Sequence, residues 1–215
     1  IVNRCPDKSG EEIFKKHSND VYAAIVHKTR LSLGTTVSST MMFDHRMAPI
    51  VVFAHELGAA ADGTPEFREH WEACLFDKGV NLWHHTFVEG KQKWSLAASM
   101  RLPEKERFKP NVKYSLSVKV FKDSHGLKCV EISCGGYSFT HEDQTLPEDF
   151  VAGIIGCEGR NFFYDFKDMM LGAEVKLKRF PWVNDVVVEF LTTKYQGGPV
   201  YHDVTYNIGE HITGR

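Results

Sequence analysis

What most constrains the fold of this 215-residue chain is a two-residue rhythm of apolar and polar side chains, broken by turn residues at intervals of roughly 8–12 positions. The rhythm is cleanest in segment 112–121. Val112, Tyr114, Leu116, Val118 and Val120 fall on one side of an extended chain, and Lys113, Ser115, Ser117 and Lys119 on the other. Successive side chains of a strand point to opposite faces, so such a segment buries one face and wets the other. The same reasoning predicts strands at 21–27, 31–42, 49–57, 69–76, 80–88, 93–100, 112–121, 127–134, 136–141, 150–156, 161–167, 173–180 and 184–192. Asp77-Lys78-Gly79, Gly135-Gly136 and Gly197-Gly198 supply turns. No helical segments alternate with these strands, which argues against a parallel sheet wound through crossover helices. One helix is expected near the start, where Ser9 caps, Glu12 completes a capping box, and Ile13 and Phe14 begin an apolar side. The expected fold is all-β: a two-sheet antiparallel jelly-roll sandwich with a short N-terminal helix. It forms one domain over 1–215, with a core at about 21–192 and an extension at 193–215.

An apolar content of 42% in a chain of this length supports a real core. The formal net charge of -2 gives no electrostatic footprint for nucleic acid or an anionic membrane surface. No apolar run approaches the roughly 20 residues needed to cross a bilayer. Neither nucleic acid nor membrane is therefore expected as a partner. The cysteines Cys5, Cys74, Cys129, Cys134 and Cys157 are odd in number and form no C-x-x-C pair. They read as small buried hydrophobes in a reduced chain, which favours a cytoplasmic setting and leaves secretion open.

Three stretches in the middle of the chain follow a recurring order: RFKPNVKYSLSVKVF, then LKCVEISCGGYSF with its Gly-Gly turn, then DFVAGIIGCEGRNFFYDFK. Across residues 31–167 this order resembles the concanavalin-like lectin/glucanase superfamily, galectin-like sandwiches included. The resemblance implies the jelly-roll sandwich and a carbohydrate as partner. The galectin signature His-x-Asn-x-Arg with a later Trp-x-x-Glu-x-Arg is absent, and so is the Glu-x-Asp-x-Glu strand of related glucanases.

The densest set of chemically capable residues lies between Pro65 and Phe87. On strand 69–76, Trp71, Ala73 and Leu75 share one face, and His70, Glu72 and Cys74 the other. On strand 80–88, Asn81, Trp83, His85 and Phe87 alternate with Val80, Leu82, His84 and Thr86. If Val80 and Leu82 face the core, then Asn81, Trp83 and His85 line a groove beside His70 and Glu72. The opposite phase buries Trp83 and exposes His84. Either way, His84 and His85 cannot share a face on a regular strand.

In the carbohydrate reading, Trp83 stacks on the sugar, while Asn81, His70, His85 and Arg46 supply hydrogen bonds. Glu72 is the best-placed carboxylate. An enzyme of this kind would be a glycoside hydrolase or polysaccharide lyase, with Glu72 or His85 as general acid or base. The lack of a second carboxylate at a convincing spacing favours binding over catalysis. A merely solvated sheet face is the bland alternative.

No cofactor is predicted. A divalent metal on His70, Glu72 and either His84 or His85 is the lesser alternative. Ala54-His55-Glu56-Leu57-Gly58 opens like a zinc-protease helix but has Ala59 where the second histidine belongs. Trp94 reads as core together with Leu96 and Ala98. The competing class is a structural or assembly module acting through protein contacts, with a homo-oligomer built on Tyr195, Tyr201, His202 and Tyr206.

Overall fold

The computed structural model describes residues 2–4, 22–26, 30–43, 49–59, 65–89, 91–157, 161–165, 174–177 and 187–189. In chain order the strands are β1 (Val2–Arg4), β2 (Tyr22–Val26), β3 (Leu31–Ser32), β4 (Thr36–Phe43), β5 (Pro49–Ala54) and β6 (Leu57–Ala59). They continue as β7 (Pro65–Phe67), β8 (His70–Phe76), β9 (Gly79–Val88), β10 (Lys91–Arg101), β11 (Tyr114–Lys122) and β12 (Lys128–Cys134). The last are β13 (Tyr137–Glu142), β14 (Asp149–Cys157), β15 (Asn161–Asp165), β16 (Glu174–Leu177) and β17 (Val187–Glu189). Among the described residues the only helical element is a 3-10 turn, Glu104–Glu106. The helix expected from Ser9, the candidate Arg46 and the extension 193–215 lie outside the described residues.

The strands form two antiparallel sheets. One runs β13-β12-β11-β4-β15-β1-β17, and the other β10-β9-β8-β5-β14-β2-β16 with β3 joining at β14. The β6-β7 hairpin stands apart. The all-β antiparallel sandwich read from the alternation is thus the fold, and each predicted strand overlaps an observed one. Two strands overlap no predicted one. β1 is too short to show a period, and β7 opens on Pro65, which lacks the N–H that a ladder needs.

The alternation determines what each sheet buries. From one sheet, Val37, Met41, Phe43, Leu116, Val118, Val120, Val130 and Ile132 enter the shared core. From the other come Val51, Phe53, Trp71, Ala73, Leu75, Val80, Leu82, Phe150 and Ile154. Each fully buried side chain of this size contributes about 1.5–3 kcal/mol over its exposed state. β5 is buried on both faces, as befits a central strand. Its Ile50, Val52 and Ala54 join Phe67, Cys74, Val151 and Ile155 in a second apolar cluster on the sheet's other face.

Two turns rest on glycine. Gly135 and Gly136 have φ of +60° and +87° and link β12 to β13 through two consecutive left-handed residues. Gly79 has φ +142° and closes the β8–β9 turn while lying opposite Arg101 of β10. A Cβ there would stand 1.9 Å from the Met100 carbonyl oxygen, so only glycine allows β10 to approach.

Candidate functional site

The β8–β9–β10 meander sets the site by register. Ala54, His70, His85 and Trp94 stand side by side in one row across β5, β8, β9 and β10. The next row holds Val52, Glu72, Trp83 and Leu96, and the one beyond it Ile50, Cys74, Asn81 and Ser99. Val80 and Leu82 are fully buried in the core, so Asn81, Trp83 and His85 share a face with His70 and Glu72. His84 points the other way and stacks on Trp71, with ring centroids 4.2 Å apart and an interplanar angle of 11°. Burial lowers the His84 pKa, against the pull of Asp143 and of Glu69, whose Oε1 lies 3.4 Å from Nε2.

Three of the expected residues converge. Glu72 Oε1 lies 3.1 Å from His70 Nε2, and Glu72 Oε2 lies 3.2 Å from His85 Nε2. The two imidazoles are stacked, their centroids 4.4 Å apart. His70 Nδ1 donates to the Arg68 carbonyl at 2.9 Å. Phe67 tilts against the His70 ring at 5.7 Å, and Arg68 covers Phe87. Burial pushes the Glu72 carboxyl up, but the hydrogen bonds and attraction of the two imidazoles outweigh it and hold the group at about 2. A carboxyl so held is ionised at neutral pH. It can accept hydrogen bonds or hold a cation.

The other expected residues take different positions. Asn81 is buried and accepts a hydrogen bond from Ser99 Oγ at 2.8 Å, so its amide oxygen is engaged within the sheet. Trp83 is half-buried and packs partly against the second apolar cluster. Arg46 lies outside the described residues.

The residue that sequence reasoning misplaced is Trp94. It is 60% exposed and is not core. The cause is a bulge in β10: Leu96 lies opposite Trp83, but the next pair is Ala98 with Leu82. The extra residue switches the phase, so Trp94 and Leu96 share the site face with Ser99, while Ala98 and Met100 pack against the core. Trp94 stands 6.3 Å from His85, with the ring planes 29° apart. An exposed indole, an imidazole and an ionised carboxylate thus lie together on one sheet face. That set can stack on an apolar surface and hydrogen-bond polar groups at its rim.

The class these features define is a two-sheet antiparallel sandwich with a mixed aromatic and polar sheet face. Among solved structures, the chain is similar to a carbohydrate-binding module, CBM66, from Bacillus subtilis. The identity is 14%, the TM-score 0.48, and the match covers 68% of this chain and 80% of that one. It is also similar to CG-16, a homodimeric agglutinin from chicken liver. There the identity is 12%, the TM-score 0.40, and the coverage 72% of this chain and 99% of that one. No protein-family model matches the chain, and no curated protein matches it. Likenesses at this identity and TM-score carry no functional argument.

Proposed function

We propose that the face of the β10-β9-β8 sheet carrying Trp94, Trp83, His85 and Glu72 binds carbohydrate. The observation that carries this reading is Trp94, whose indole is left 60% exposed beside a buried polar cluster. Trp94 and Leu96, both exposed on this face, make a contiguous apolar surface of the kind that marks a binding site. A pyranose offers what this face lacks: a flat array of C–H groups for the indole, and hydroxyls for Glu72 and His85. Glu72 accepts hydrogen bonds from the hydroxyls, and the half-buried Trp83 walls the site. With one carboxylate in the cluster, and that one held ionised, the reading is of binding and not of glycoside cleavage.

Glycan-array screening followed by calorimetry tests this. The wild-type chain is expected to bind a glycan, and Trp94→Ala to lose that binding with a thermal midpoint within about 2 °C of wild type. A wild type that binds no glycan, or a Trp94→Ala variant that binds undiminished, would overturn the reading. The second reading is an assembly module. It is favoured by Leu96, which is 44% exposed on the same face as Trp94. In that case Trp94→Ala instead shifts the sedimenting species from oligomer to monomer.

A further inference from the structure

We infer that His70, Glu72 and His85 form a binding site for one divalent transition-metal ion of the zinc class. One ligand atom from each lies within 4.8 Å of the others. Nitrogen and oxygen ligands hold zinc at about 2.0–2.2 Å, so ligand atoms round one ion stand roughly 3–4 Å apart. His70 Nε2 stands 3.1 Å from Glu72 Oε1 and His85 Nε2 3.2 Å from Oε2, so each imidazole is at ligand spacing from one oxygen of the carboxylate. Two imidazoles and a carboxylate are also a donor set that suits zinc, cobalt and their neighbours, and not calcium or magnesium.

The hydrogen bonding of His70 supplies the second argument. Its Nδ1 faces the Arg68 carbonyl, which can only accept, so Nδ1 carries a proton. Nε2, the other ring nitrogen, is the one turned to the Glu72 carboxylate, at 3.1 Å, on the side where a shared cation would lie. The Nδ1–carbonyl bond is then the outer contact that metal-binding histidines use to fix their tautomer.

Two stacked rings cannot aim both lone pairs at one point, so binding tilts one of them. His85, 16% exposed, lies against Trp94. Metal entry should therefore also change the Trp94 emission.

The site does not depend on the carbohydrate reading, and its test contains no glycan. Tag-free full-length protein, stripped with chelator, is titrated with cobalt chloride alone and followed by visible absorption and tryptophan fluorescence. Expected are one cobalt ion per chain, a visible band of imidazole–carboxylate ligation, displacement by zinc, and a fluorescence change that Trp94→Phe abolishes while the absorption band stays. His85→Gln and Glu72→Gln should each weaken binding by roughly a hundredfold. A wild type that takes up no stoichiometric cobalt or zinc overturns the inference, and so do variants that bind as tightly as wild type. His85 is the safer variant because it is only partly buried. If Glu72→Gln fails to fold, the wild-type titration and His85→Gln decide the matter.

Discussion

Trp71 and Trp94 lie on opposite faces of the same sheet, and the difference should be measurable. Trp71 is fully buried between Phe53, 5.6 Å away and stacked, and His84. Its replacement by alanine opens a large void and is expected to cost about 3–5 kcal/mol in urea unfolding. Trp94→Ala removes an exposed ring and should stay within about 0.5 kcal/mol of wild type. Equal losses at the two positions would mean that the faces are misassigned. At this scale the sequence was informative wherever plain alternation decided the outcome. The separation of His84 from His85, and the grouping of His70 with Glu72, follow from counting by two. The position of Trp94 does not, because the bulge after Leu96 shifts the count by one and no residue type at 97 announces it. The burial of Asn81 was also invisible, since it depends on a bond to Ser99, which sequence reasoning had not placed beside it.

Among elements, the β8–β9 hairpin was legible because its turn chemistry and its two alternating runs agree, whereas the β6–β7 hairpin was hidden by a proline start and three-residue strands. The decisive residue of the legible hairpin is Gly79. A Cβ there would meet the Met100 carbonyl at 1.9 Å, so Gly79→Ala must push β10 away from β9 or reshape the turn. Gly136 offers the contrast, with φ +87° and nothing within 4 Å of an added Cβ. Gly136→Ala should therefore cost only the backbone strain, about 1 kcal/mol, as read from urea midpoints. Gly79→Ala should cost clearly more and should also weaken ligand binding, because Trp94 and His85 meet across the pair it separates. Similar losses for the two glycines would show that β10 yields at no cost.

For the whole molecule, local alternation gave the all-β class and the strands but not their neighbours. The β8–β9–β10 meander pairs strands adjacent in sequence. The centre of each sheet does not: Ile50 of β5 lies opposite Ile155 of β14, and Met41 of β4 opposite both Tyr114 of β11 and Phe163 of β15. Each of these apolar strands fits many partners equally well by pattern, and only the closed three-dimensional core selects among them. Such pairings also set the folding rate, because loop closure over long separations must precede the contacts that reward it. The main refolding phase after stopped-flow dilution from urea, followed by tryptophan fluorescence, is therefore expected in the millisecond-to-second range typical of β-sandwiches. Leu82→Ala in the meander tests the order of events. If the local hairpins form early, it slows this phase in proportion to its loss of stability, while Ile155→Ala mainly speeds unfolding. The opposite partition would place the long-range β5–β14 pair in the folding nucleus, and main-phase refolding in microseconds would be incompatible with this strand order.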